Sequence, residues 1–226
     1  MLSKEFSVTR LGLISHSLGL QFDWTTSGVR IHQTTYVQTI LDRYSTMTRS
    51  LDTPALPTSL SPDSLNVPQR EPVDAKVYRA AVGALMFVCN ATRPDIATAV
   101  NRVARHMQSP LRGHLEAVER IFAYLRKTVT RGITYDKSGN DMPVAYTDSN
   151  LGGDSHHERL RDGHVITLAG GPVLWTSKLQ ASVATSSCEA EYIQASEAIK
   201  DILLRNRGSS PCRGTANEIA PSVPPL

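Results

Sequence analysis

Two carboxylates are placed where metal chemistry could be done. Asp148 closes a short β-rich run, Pro143-Val144-Ala145-Tyr146-Thr147, and Ser149-Asn150-Leu151-Gly152-Gly153 follows it. An acid at a strand end, entering a turn, can hold a cation; it is also an ordinary place for a turn aspartate. Glu191 lies near the start of a helix expected over about 187–204, on a stripe with Ala195, Ala198 and Ile202 that should border the core. A carboxylate at the edge of a small, apolar stripe needs a cation or a partner, unless water solvates it at the helix end. Strand, hairpin and helix in that order could bring Asp148 and Glu191 together. Paired carboxylates bind Mg²⁺ through hard oxygen atoms. Two-metal phosphodiester hydrolysis needs several of them, because one metal activates water while the other steadies the leaving oxygen. Glu189 has a structural task, since Ser186 and Glu189 have the spacing of a capping box. Asp154, His156 and His157 form a polar cluster near Asp148, and imidazole binds transition metals. A solvated loop ahead of a hairpin is the simpler account of these three.

The elements that must position these acids are legible from periodicity. Residues 1–51 read as strand, hairpin and helix. Leu18–Phe22 and Gly28–His32 are the strands, Trp24-Thr25-Thr26-Ser27-Gly28 has the composition of the loop, and Thr34 or Thr35 caps a helix carrying Tyr36, Ile40, Leu41 and Tyr44. Residues 52–74 are a proline-rich linker, with proline at 54, 57, 62, 68 and 72. Residues 75–134 are helical. Tyr78–Asn90 is one helix; Pro94–Met107 is a second, with Pro94 in its first turn and Ile96, Val100, Val103 and Met107 in one stripe; Leu115–Lys127 is a third, with Leu115, Val118, Phe122 and Leu125 on one face. Arg93, Arg102, Arg105, Arg112, Arg120, Arg126 and Lys127 decorate this segment, as a solvated face or as contacts to nucleic-acid phosphates. Residues 142–205 change to strands: Gly163–Leu168 and Val173–Thr176 flank Ala169-Gly170-Gly171-Pro172, which spells a hairpin. Residues 206–226 have the composition of a disordered tail. The fold class expected is α/β, of the α+β kind.

Composition narrows the partners. The chain has 226 residues, 40% of them hydrophobic, which is a globular composition able to bury a core. No apolar run approaches the roughly 20 residues of a membrane span, and Met-Leu-Ser-Lys-Glu-Phe does not open a signal peptide. An intracellular location, cytoplasm or nucleus, is expected, with no membrane partner. The three cysteines, Cys89, Cys188 and Cys212, are odd in number and form no CxxC pair, against both a disulfide framework and a zinc site. Cys89 sits in an apolar run and reads as a buried thiol. A formal charge of +3 permits contact with nucleic acid without demonstrating it.

Taken in order, these residues resemble a family. Tyr146-Thr147-Asp148-Ser149-Asn150, Gly152-Gly153-Asp154 and Ser186-Ser187-Cys188-Glu189-Ala190-Glu191-Tyr192 are similar to the ribonuclease H domain of copia-type retrotransposon polyproteins, and the run from Leu168 to Gln180 resembles that domain's hairpin. Tyr78-Arg79-Ala80-Ala81-Val82-Gly83-Ala84-Leu85 and Thr92-Arg93-Pro94-Asp95-Ile96 resemble the segment joining polymerase to nuclease. Leu18-Gly19-Leu20 and Gln33-Thr34-Thr35-Tyr36-Val37 look like the closing part of the reverse transcriptase. The resemblance implies an RNase H-like fold in the last third, with a central sheet and flanking helices. It implies Mg²⁺-dependent cleavage of the RNA strand of RNA–DNA hybrids, with Asp148 and Glu191 as catalytic, metal-binding acids. The family's Tyr-x-Asp-Asp polymerase motif would lie upstream of residue 1, so DNA synthesis is not expected. The family's next catalytic aspartate follows one more strand, whereas here no Asp occurs after Asp201 and the only later acid is Glu218. Leu151 replaces the family's usual tryptophan. An incomplete, inactive nuclease domain is therefore expected; a nucleic-acid-binding remnant and a nuclease completed by another chain, such as the missing polymerase portion, are the alternatives.

Overall fold

The computed structural model describes residues 12–46, 48–56, 60, 65–139, 142–150, 161–179, 192–193 and 195–202, with backbone alone at 148–150, 161–162 and 178–179. The fold is mixed α and β, with antiparallel sheets. The first sheet has the order β1 (His16–Ser17), β2 (Leu20–Trp24), β3 (Gly28–His32) and β4 (Ile133–Asp136). Leu18 and Gly19 both have positive φ and form the turn between β1 and β2, so the first strand expected over Leu18–Phe22 begins instead at Leu20. The last strand of this sheet comes from far along the chain: Ile31 pairs with Ile133 and Gly28 with Asp136.

Four helices pack between β3 and β4 in sequence: α1 (Thr34–Tyr44), α2 (Ala75–Ala91), α3 (Ala97–Ala104) and α4 (Arg112–Lys127). Their apolar stripes meet in one core, from Val37, Ile40 and Leu41 of α1 through Tyr78, Val82, Leu85 and Val88 of α2 to Val118, Phe122 and Leu125 of α4. α2 begins three residues before the expected Tyr78 because Asp74 caps it, its side chain accepting from the backbone N–H of Lys76 and Val77. The second expected helix, Pro94–Met107, divides into a 3₁₀ turn at Pro94–Ile96 and α3, which stops at Ala104. α4 likewise begins early, at Arg112, because His114 Nδ1 accepts from the Leu111 N–H at 3.0 Å while Nε2 donates to the Leu60 carbonyl at 2.9 Å.

The basic side chains of the helices are not simply a solvated face. Arg93 is 1% exposed. Its guanidinium grips Asp95 through Nε at 2.9 Å and Nη2 at 2.8 Å, and donates to the Thr128 carbonyl and hydroxyl at the end of α4. Tyr124 donates its hydroxyl to the same carboxylate at 2.6 Å, and Arg131 adds a bond at 3.2 Å. Burial pushes the Asp95 carboxyl up, but the bonds from Arg93, Tyr124 and Arg131, with the Arg93 charge, outweigh it and hold the group below its ordinary range. Arg102, Arg112, Arg120 and Lys127 reach the proline-rich stretch instead, bonding the Leu56 carbonyl, Glu71, Thr53 and Asp52. The described residues of that stretch form no ladder of their own, and their carbonyls and acids take partners from the neighbouring helices. Within it lie a 3₁₀ turn at Val67–Arg70 and the buried Leu65.

The second sheet, β5 (Val144–Asn150), β6 (Arg161–Leu168) and β7 (Gly171–Leu179), lies in the order 5-6-7. The expected hairpin is present, and Ala169 and Gly170, both at positive φ, make its two-residue turn. The turn docks on the first sheet: the Asp136 N–H donates to the Ala169 carbonyl and the Tyr135 hydroxyl to the Pro172 carbonyl, each at 2.7 Å. The approach requires glycine at 171, where a Cβ would come within 2.6 Å of the Thr134 carbonyl oxygen. β7 also meets the helices. Trp175 Nε1 donates to the Cys89 carbonyl at 3.0 Å, and Asn101 donates to the Ser177 carbonyl at 2.7 Å.

Four outcomes test these contacts. Arg93→Met takes the cation and its bonds from the part-exposed Asp95 carboxylate, deprives the Thr128 carbonyl of its donor, and is expected to cost about 1–3 kcal/mol in urea unfolding. The Asp95 contribution is complete above its unfolded value of about 3.9 and is lost only as pH falls through the lower folded value, so Asp95→Asn should flatten the acid limb of stability against pH. Burial lowers the His114 ring, despite its bond to Leu60. Its contribution is complete above an unfolded value of about 6.5 and declines as pH drops toward the folded value, so His114→Gln should remove part of the stability slope below about pH 6.5. Gly171→Ala is expected to cost about 1–3 kcal/mol by overpacking, read from the same urea transitions.

Candidate functional site

Asp148 lies within a strand, not in a turn as expected. β6 begins at Arg161, two residues before the expected Gly163, so the ladder with β5 continues through Asp148–Gly163 and Ser149–Asp162 to Asn150–Arg161. Its register partner Gly163 places no side chain across from it. Gly163 is itself open to β7, since among the described atoms a Cβ there would meet the Thr176 carbonyl oxygen at an ordinary 3.6 Å. β5 is an edge strand of the described sheet. Glu191 lies outside the described residues, as do Glu189, Ser186, Asp154, His156 and His157. The helix expected after the hairpin is present at 192–193 and 195–202, and its expected stripe is recognisable: Ala198 is buried, and Ala195 and Ile202 are half-buried.

The sheet separates two layers. Alternation along β7 sends Trp175 and Ser177 toward α2 and α3, where they bond Cys89, Thr98 and Asn101. Thr176 lies on the opposite face with His164, its register partner on the central strand β6. The His164 ring is fully buried. Nδ1 lies 3.1 Å from Thr176 Oγ1, and Nε2 lies 2.9 Å from Asp201 Oδ2 on the C-terminal helix. Strand and helix periodicity alone assign neither His164 nor Asp201 a task. Two signals were available: His164 shares its parity with the core residue Ile166, and Asp201 follows Ala198 by three, on the same side of the helix.

Other chemistry is limited. Burial, helped by the Asp95 charge, pushes the Cys89 thiol up to about 12, so it is a packed thiol and not a nucleophile, as its apolar run implied. Among the described residues, no group of three or more His, Cys, Asp and Glu side chains is arranged to hold a metal ion. No described helix is long and apolar enough to cross a membrane. A cleft of about 630 Å³ opens between the proline-rich stretch, α3 and α4, lined by Arg49, Arg102, Arg120 and Glu116 among leucines and alanines. No residue of the second sheet lines it.

No protein-family model matches the chain, and no solved structure matches it significantly. Known sequences do. The chain is 34% identical over 214 residues to the retrovirus-related Pol polyprotein from transposon TNT 1-94 of Nicotiana tabacum, covering 91% of this chain and 16% of that protein. It is 35% identical over 193 residues to the retrovirus-related Pol polyprotein from transposon RE1 of Arabidopsis thaliana, covering 84% and 13%. It is also 39% identical over 124 residues to secreted RxLR effector protein 161 of Plasmopara viticola, covering 55% of this chain and 87% of that one. The chain thus spans about a sixth or less of the two Pol polyproteins, collinear with them over most of its own length. It belongs to the family of copia-type retrotransposon Pol polyproteins, of which it corresponds to a short segment.

Proposed function

We propose that residues 142–205 are an RNase H-like module of this Pol segment, that Asp148 and Glu191 are its metal-binding acids, and that the 226-residue polypeptide does not cleave RNA–DNA hybrids by itself. The observation that carries the reading is the order of elements around Asp148: an antiparallel sheet with Asp148 on its first strand, followed by a helix tied to the middle strand through Asp201 and His164. Both acids offer the hard oxygen donors that Mg²⁺ takes, and Gly163 leaves the register position opposite Asp148 without a side chain. When bound, Mg²⁺ would supply an activated water and charge stabilisation at the phosphate. The protein side is short of ligands: of the acids that match the family's catalytic set, this polypeptide carries Asp148 and Glu191, and hydrolysis by two metals needs more. The helical arginines lend little to a nucleic-acid-binding reading, because Arg93, Arg102, Arg112, Arg120 and Arg126 each bond groups of the same chain.

Incubating the polypeptide with an end-labelled RNA–DNA hybrid and Mg²⁺ tests this. The expected result is no cleavage above buffer. Mg²⁺-dependent cleavage that Asp148→Asn abolishes would overturn the inactivity and keep the assignment of Asp148. Cleavage that survives Asp148→Asn would overturn the assignment. Hybrid binding that weakens steeply with salt, without cleavage, would favour the nucleic-acid-binding remnant.

A further inference from the structure

His114 holds two parts of the chain at once. It lies in the first turn of α4 and is fully buried. Its Nδ1 accepts from the Leu111 N–H at 3.0 Å, which caps that turn, and its Nε2 donates to the Leu60 carbonyl of the proline-rich stretch at 2.9 Å. A ring that accepts at Nδ1 and donates at Nε2 is neutral; a charged imidazole donates from both nitrogens. The same stretch is laid against the residues on either side of the cap. The Val73 N–H donates to the Pro110 carbonyl and the Arg112 N–H to the Glu71 carbonyl, around a bridge between Pro72 and Leu111. Gly113 lets the stretch come close, since a Cβ there would lie 2.7 Å from the Leu65 side chain.

We propose that His114 is a pH-operated clasp: the neutral ring closes the proline-rich stretch onto the first turn of α4, and protonation opens it. A proton on Nδ1 would point at the Leu111 N–H, so the cap is lost. His106 stacks on the ring with centroids 3.7 Å apart, and this second imidazole can itself carry charge. Among the described residues no carboxylate bonds the ring to welcome a charge. Glu71 and Glu116 lie against Arg112, Glu116 also accepts from Gln69, and Asp74 caps α2. The remaining charged groups on the elements around the ring, Arg70, Arg102, Arg105 and Arg112, are cations and favour the neutral form. Burial holds the ring below its ordinary range, despite the bond to Leu60. In the opened chain the ring returns to about 6.5. The clasp is therefore fully closed above about pH 6.5, and below it the opening constant rises about tenfold per pH unit until the folded value is reached. Leu60, Leu65 and Gln69 also wall the cleft that holds Arg49, Arg102 and Arg120, so acid opens that cleft on the side of the stretch.

Amide exchange of the full 226-residue chain between about pH 5 and 8, corrected for intrinsic rates, tests the clasp. Nitrogen-15 shifts of the His114 ring report its tautomer without any substitution. The Nε2–H tautomer is expected at the upper end of the range. The Leu111, Arg112 and Val73 amides should be less protected than those of the β3–β4 ladder, with protection falling about tenfold per pH unit below about 6.5. His114→Gln should flatten that fall, because glutamine three residues past the cap position can bond the same N–H without titrating. His106→Phe keeps a ring in the stack and should leave the fall in place. An Nδ1–H tautomer, protection indifferent to pH in wild type, or a fall that persists in His114→Gln or vanishes in His106→Phe overturns the clasp. Protection equal to that of the β3–β4 ladder at every pH also overturns it, since these amides would then open only with the whole fold.

Discussion

The architecture turns on one tight corner, Thr92-Arg93-Pro94-Asp95. Four long-range contacts leave from it. Thr92 donates to Gln33 at 2.9 Å, fastening the corner to the entry of α1, and both side chains are buried. Arg93 reaches the end of α4 at Thr128, and Asp95 accepts from Tyr124 and Arg131. A guanidinium this deeply buried survives only because its donors face a carboxylate and a carbonyl with good geometry. Burial together with the adjacent Asp95 carboxylate pushes the Tyr124 hydroxyl up, so it remains a donor and never competes as an anion. One residue group thus fixes where α1, α2, α3 and α4 meet, and β4 leaves from that junction.

The second sheet inherits its position from the same body. Its hairpin turn lies on β4, and its last strand donates to or accepts from α2 and α3. These bonds all end on backbone carbonyls, but the donors at Tyr135, Trp175 and Asn101 are side chains, so the docking depends on those residue types. Glycine at 171 is a further requirement, because no side chain fits between the strand and Thr134. What looks like a separable module in the sequence is therefore clamped at both ends of β7.

Much of this was legible in the residues. The apolar stripes gave α2, α3 and α4 to within a few residues, and Ala169-Gly170 announced the hairpin. The family resemblance, built on ordered short motifs, agrees with the Pol relatives. The misses share a cause: they are decided by partners distant in sequence. The extension of β5 through Asp148 depends on β6 starting at Arg161. The burial of Arg93 depends on Thr128, and the task of His164 depends on Asp201. Local pattern reads Arg93 as a surface cation, because no window of a dozen residues contains what neutralises and caps it. The early starts of α2 and α4 have local causes, the capping bonds of Asp74 and His114, which a dozen-residue window does contain.

The pairing of β3 with β4 also has a consequence for synthesis. Gly28–His32 leaves the ribosome roughly a hundred residues before Ile133–Asp136, its neighbour in the ladder. During that interval β3 presents a bare edge, rich in β-formers and ready to pair with whatever strand arrives first. Translation halted anywhere between the two would release a chain whose helices can form but whose sheet cannot close, and such a product is a substrate for chaperones and for self-association. For a polypeptide of this ancestry, the position of a stop codon relative to residue 133 thus separates a chain able to complete its first sheet from one that templates aggregation.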